Sequence, residues 1–158
     1  MQYLTDMAEF DVKVAEGRFA KKGDLGYMAG NPPSGRILVG GEESPNGLSM
    51  CPDSNTYARV KYKLGKTAET FIASVALNDS AGAPGRLPGV GKIPTPLTFQ
   101  VLGDGKVLRR YGPVDTARNV HKVRVDMTGV EVLELRIDCP GSNVNAQAVW
   151  LEPRILLK

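Results

Sequence analysis

The chain has 158 residues, 42% apolar and 23% charged, with a net charge of +3, which suits one domain over residues 1–158 with a real hydrophobic core. Its Lys and Arg are interspersed with Asp and Glu, and Lys21-Lys22 and Arg109-Arg110 are only pairs. This argues against a nucleic-acid binder, whose basic residues gather in one run or face, and no apolar run reaches the roughly 18 residues of a membrane-spanning helix.

Scattered among short apolar runs are 18 Gly and 11 Pro, a pattern of many strands and turns rather than long helices. Tyr3, Leu4 and Met7 open the chain as a small apolar cluster, and Phe10, Val12 and Val14 then alternate with polar residues. Residues 17–35 are rich in Gly, Lys and Pro and read as extended loop. Residues 36–39 form a short strand ended by Gly40-Gly41. Residues 47–50 form another, stopped by Cys51-Pro52.

From residue 56 the alternation is clean. Ala58, Val60, Tyr62 and Leu64 alternate with Tyr57, Arg59, Lys61 and Lys63, which describes a half-buried strand with its basic residues in water. Residues 70–77 are apolar on both faces and predict a central strand. Residues 78–96 form a long Gly/Pro loop, and residues 97–102 resume as a strand expected to be the hairpin-like neighbour of 70–77. Loops of that length are usually functional surfaces. Pro88, Pro94 and Pro96 restrict this one, so an ordered flap is expected.

Gly103-Asp104-Gly105 is a tight hairpin turn, since Asp-Gly supplies positive φ, and residues 106–111 return from it. His121, Val123 and Val125 alternate with Lys122 and Arg124. Leu133, Leu135 and Ile137 alternate with Glu134 and Arg136, and after the loop 139–145 a last strand covers 146–157. The total is roughly eight to ten antiparallel strands in an all-β sandwich of jelly-roll type.

Catalytic signatures are missing. Gly89-Val90-Gly91-Lys92 fails as a phosphate loop: Arg86 stands five residues before Gly91, Ile93 replaces the magnesium-binding hydroxyl, and a strand follows rather than a helix. The one histidine, His121, sits on an apolar strand face as a core or semi-buried residue. The chain has no nucleophile elbow and no Cys/His quartet for zinc. Cys51 and Cys139 allow one disulfide at most, and two buried thiols are the simpler reading. The N-terminal residues lack the basic start and apolar centre of a secretion signal, so the chain is either cytoplasmic or excised from a longer parent, extracellular or periplasmic if that parent is secreted.

Seven segments in order resemble the NPCBM family, also grouped with the family 51 carbohydrate-binding modules. They are YLTDM from Tyr3, GLSMCP from Gly47, YARVKYKL from Tyr57, FIASVALND from Phe71, LTFQVLGDGKVL from Leu97, VDMTGVEVLELRID from Val125 and AVWLEPRI from Ala148. The long loop is similar to that of planctomycete-type bacterial multidomain members. Cys51 stands where the family often has His.

The resemblance implies a galactose-binding-like jelly-roll β-sandwich and a non-catalytic, lectin-like role in recognising galactose-containing glycans. It also implies a structural calcium, and a catalytic, kinase or protease domain in a longer parent chain. A sugar site needs planar donors and acceptors for vicinal hydroxyls and an apolar face for the ring. Asn78, Asp79, Asn143, Asn145 and Gln147 supply the first and Trp150 the second, although taken singly each is more often a turn former or, for Trp150, core. Asn78-Asp79-Ser80 is also a glycosylation sequon. Related sandwiches hold metal near their joined termini, which makes Asp6, Asp11 and Glu152 the calcium candidates. The alternative is a module for protein partners or self-association on the same fold with its sugar pocket closed.

Overall fold

The computed structural model describes residues 1–15, 19–25, 35–81, 92–117 and 119–158. Thirteen strands occur among them: β1 (Gln2–Tyr3), β2 (Glu9–Lys13), β3 (Phe19–Ala20), β4 (Leu38–Val39), β5 (Glu42–Glu43), β6 (Leu48–Met50) and β7 (Thr56–Lys63), then β8 (Ala68–Leu77), β9 (Lys92–Gly103), β10 (Lys106–Thr116), β11 (His121–Asp126), β12 (Val132–Cys139) and β13 (Ala148–Leu157). The excess over ten comes from strands of two or three residues, too short to leave a period in the sequence.

The strands form two antiparallel sheets and one small hairpin. One sheet runs β11-β8-β13-β6-β3 with β1 also paired to β13. The other runs β10-β9-β12-β7-β2, and β4 pairs with β5 alone. This is the all-β antiparallel sandwich that the alternation of residues predicts, and it agrees with the galactose-binding-like fold that the resemblance implies. The inward residues of both sheets share one core, in which Phe71, Val75 and Trp150 of the first sheet meet Val60, Phe99, Leu135 and Ile137 of the second.

Three expectations change. The strand after the long loop begins at Lys92 rather than Leu97: Ile93, Thr95 and Leu97 turn inward while Pro94 and Pro96 lie exposed between them. The prolines are tolerated because only β10 pairs there, through an irregular register, and pairing with β12 starts at Thr98. Second, β8 and β9 are not a pair. Hydrogen bonds place β8 between β11 and β13, and β9 between β10 and β12, so the loop joining them crosses from sheet to sheet. Third, the stretch 17–35 contains β3 and, at Asp24, a bridge to Arg36. The proposed flap around Pro88 and the sequence Gly89-Val90-Gly91 lie outside the described residues.

A second, smaller apolar cluster lies on the outer face of the first sheet. Leu25 and Ile37 cover Ala76 of β8 and Val149 of β13 there. It explains why β8 is apolar on both faces: its inner face is core, and one end of its outer face is roofed by the segment before β4. Cys51 and Cys139 are both buried thiols. His121 is half-buried, and its Nε2 lies in a buried position with no hydrogen-bond partner among the described residues.

Candidate functional site

One end of the sandwich gathers the residues predicted for a sugar site, except Trp150. Ala148 pairs with Leu77, so the chain leaving β8 and the chain entering β13 lie side by side. The next rung continues that pairing, with the Asn78 amide donating to the Gln147 carbonyl at 2.9 Å. Asn78 Nδ2 donates to Ser80 Oγ at 2.7 Å, and Ser80 Oγ donates to Gln147 Oε1. Asn78 Oδ1 accepts from the Leu38 amide at 2.7 Å. The Asp79 carboxylate spans the β4–β5 turn, accepting from the Gly40 and Gly41 amides at 2.8 Å each. Those glycines have φ of 60° and 80°, a left-handed turn in which successive N–H groups form an anion-binding concavity.

Asn78, Asp79 and Gln147 are all buried, so they act as fasteners that fix three loops against one another. A second knot lies in the loop 140–147. Asn143 Nδ2 donates to the Pro52 carbonyl at 3.0 Å, and Asn143 Oδ1 accepts from Ser54 Oγ at 3.0 Å. The Asn55 amide donates to the Gly141 carbonyl at 2.9 Å. Asn145 takes φ 57°, and its carbonyl accepts from the Gln147 amide at 2.8 Å. The residue is half-exposed, and its side-chain amide has no partner among the described residues. Beside it Val144 is 58% exposed. On this loop, which Asn143 braces, Val144 and Asn145 thus present an isopropyl group and an amide, the polar and apolar mixture that a sugar's hydroxyls and C–H face require.

Trp150 is a correction. It is fully buried, packed edge-on against Phe99 and tilted against Phe71, so its indole cannot stack on a sugar at the surface. Its strand alternates apolar residues, and the inward register takes the largest of them into the core.

The calcium candidates do not fit a calcium site. Asp11 is held by Arg59 at 2.9 Å and by Lys61 at 2.8 Å, and hydrogen bonding from Lys61 is the largest influence on its carboxyl, which titrates below the ordinary value. Glu152 lies on the other sheet and accepts from Ser44 Oγ at 2.7 Å and from the Asn46 amide and Nδ2 at 2.8 Å each. Burial works to raise the Glu152 carboxyl, and those hydrogen bonds, with the Arg154 charge, outweigh it and hold it low. Asp6 is exposed. No three His, Cys, Asp or Glu residues gather as a metal centre among the described residues.

A family model for the NPCBM/NEW2 domain matches residues 2–156. The chain belongs to the NPCBM/NEW2 domain family. NPCBM is a carbohydrate-binding module family, and solved structures of similar fold are carbohydrate-binding modules as well. A CBM51 module from Clostridium perfringens GH95, in complex with methyl-galactose, aligns over 98% of each chain with a TM-score of 0.73 and 15% identity. The CBM51-2 module in complex with GlcNAc, with INT domains, from Clostridium perfringens ZmpB aligns with a TM-score of 0.75 and 16% identity. There the match covers 98% of this chain and 31% of that one. The tandem CBM51 modules of the family 98 glycoside hydrolase Sp3GH98 from Streptococcus pneumoniae SP3-BS71 align with a TM-score of 0.76 and 19% identity, covering 99% and 46%. This NPCBM domain therefore spans about a third to a half of two of those chains. By sequence, no curated protein matches it.

Sequence reasoning missed Ser80, Ser54 and the Gly40-Gly41 turn as parts of the loop end. The glycines were legible as a strand terminator, but their role as the partner of Asp79 depends on a contact between residues 38 and 39 positions apart.

Proposed function

We propose that this NPCBM domain is a non-catalytic module that binds galactose-containing glycans at the loop end, through the surface made by Asn143, Val144 and Asn145. The observation that carries the reading is the match to a carbohydrate-binding module family across residues 2–156. The unengaged amide of half-exposed Asn145 beside exposed Val144 supports the placement. Asn78, Asp79 and Gln147 would serve it indirectly, by bracing the loop. A site with few polar groups and no exposed aromatic ring among the described large hydrophobics suits weak binding, in the micromolar to millimolar range. In a longer parent chain, the module would hold an attached catalytic unit on its glycan.

Titration of the ¹⁵N-labelled domain with methyl-galactoside tests this. Saturable shifts confined to residues 143–147 and their neighbours 78–81 are expected, and Asn145→Ala should weaken them about tenfold, the loss of one or two hydrogen bonds. Absence of saturable shifts with galactosides would refute the reading.

A further inference from the structure

The outer face of the six-stranded sheet carries a groove of about 600 Å³ that the loop end does not use. Strand register builds it from two rungs. In one, Lys122 lies opposite Ser74, and Ser74 opposite Leu151; in the other, Arg124 lies opposite Ile72, and Ile72 opposite Arg154. The next rung toward the loop end is closed, because Leu25 and Ile37 cover Ala76 and Val149. The groove thus has an apolar and hydroxyl floor, a wall at one end, and cations along both sides. Its sides, β11 and β13, are two strand spacings apart, about 10 Å, which is room for one sugar ring.

The two β11 cations of this groove, Lys122 and Arg124, are unpaired among the described residues. Among the described residues Glu152 is the one carboxylate lining the groove, and its oxygens accept from Ser44 and Asn46. Arg154 donates to the Glu152 backbone carbonyl at 2.8 Å. Asp126, further along β11, accepts from the Thr128 amide. Among the described residues, neither Lys122 nor Arg124 has a carboxylate within ion-pair distance. On β7 and β12 of the opposite sheet the cations are partnered: Arg59 and Lys61 by Asp11, Arg136 by Glu134, and Lys63 by the Phe10 ring.

We infer that this groove binds the acidic residue of a uronate-containing glycan, with its carboxylate between Lys122 and Arg124 and its ring face on Ile72 and Leu151. A guanidinium matches a planar carboxylate with two parallel hydrogen bonds, and an apolar floor between cations favours a ring that is hydrophobic on one face and charged at its edge. The groove volume falls in the usual range for small-ligand sites. The choice of a sugar rests on the carbohydrate-binding reading above, whereas the position and the charge preference rest on the groove alone.

The test titrates the full chain with trigalacturonate and, separately, with neutral galactotriose and a short single-stranded oligonucleotide of equal charge. Trigalacturonate should shift the amides of residues 72–74, 122–124, 151, 152 and 154, more weakly as salt rises, and galactotriose should leave them in place. Lys122→Gln with Arg124→Gln, both at exposed positions, should weaken that binding at least tenfold without changing the thermal midpoint. Three results would overturn the inference: no shift in the groove, a shift undiminished in the double variant, or equal shifts from the oligonucleotide. If nothing binds the groove, Lys122 and Arg124 are edge-strand charges that block strand addition. Galactoside binding at residues 143–147 without trigalacturonate binding refutes this inference alone, and the opposite pattern refutes the loop-end reading alone.

Discussion

Trp150 meets Phe99 edge-on, ring centroids 5.5 Å apart at 80°, and through that contact the two sheets of the sandwich touch. Both rings are fully buried, and Phe71 closes on Trp150 from the same sheet at 6.2 Å. The Trp150 Nε1 has no hydrogen-bond partner among the described residues, so the indole contributes through packing rather than polar contact. Trp150→Ala should cost about 3–5 kcal/mol of stability, the usual range for deleting a large buried aromatic. Trp150→Phe should cost less. Urea unfolding followed by circular dichroism measures both.

The Asp79 carboxylate is the fastener of the β4–β5 turn. Removing it leaves the Gly40 and Gly41 amides without their acceptor. Asp79→Ala is expected to destabilise the domain by about 1.5–3 kcal/mol, as for a hydrogen-bonded charge. Amide exchange at Gly40 and Gly41 should accelerate more than at residues 71–75 of the core strand β8. Uniform acceleration would show that Asp79 supports the whole fold instead.

Acid should weaken the domain in a window set by its depressed carboxyls. Glu152 is held below its ordinary value of 4.5. Its contribution is therefore complete above that value and is lost as pH falls through its lower folded pKa. Asp104, which accepts from the Val132 and Glu131 amides, and Asp126, which accepts from Thr128, are held below 3.8 and act in the same direction. Thermal midpoints from pH 7 to pH 2.5 should stay level and then fall below about pH 4.5. Glu152→Gln should start lower at pH 7 and fall less steeply.

Gln147 accepts from Ser80 across the gap between the chain leaving β8 and the chain entering β13. If it braces the sugar surface, Gln147→Ala should weaken galactoside binding several-fold while leaving the direct contacts at Asn145 chemically intact. Calorimetry on the variant checks this, and rescue by Gln147→Glu is expected, since a carboxylate still accepts from the Ser80 hydroxyl.

Much of the fold is legible because burial alternates residue by residue. Ala58, Val60 and Tyr62 lie inward and Lys63 outward, as their spacing predicts, and Asp104-Gly105 turns the chain with φ of 49° and 82°. Strands of two residues carry no such period. In β9 the prolines at 94 and 96 hid a strand whose alternation was present in Ile93, Thr95 and Leu97.

The sequence by itself determined the all-β class, the main strands, the family and the loops that hold Asn78 and Asn143, since alternation and motif order are local properties of the chain. Which side chains those loops present was decided by the tertiary structure. Asn78, Asp79 and Gln147 are buried by contacts with residues 38–41 and with one another, and Trp150 faces inward because β13 pairs with β8 in one particular register. Lys122, Arg124 and Arg154 face one groove because β8 lies between β11 and β13, an order fixed by hydrogen bonds between distant segments. Side-chain orientation in a sheet follows strand register, and register is set by partners far away in the sequence.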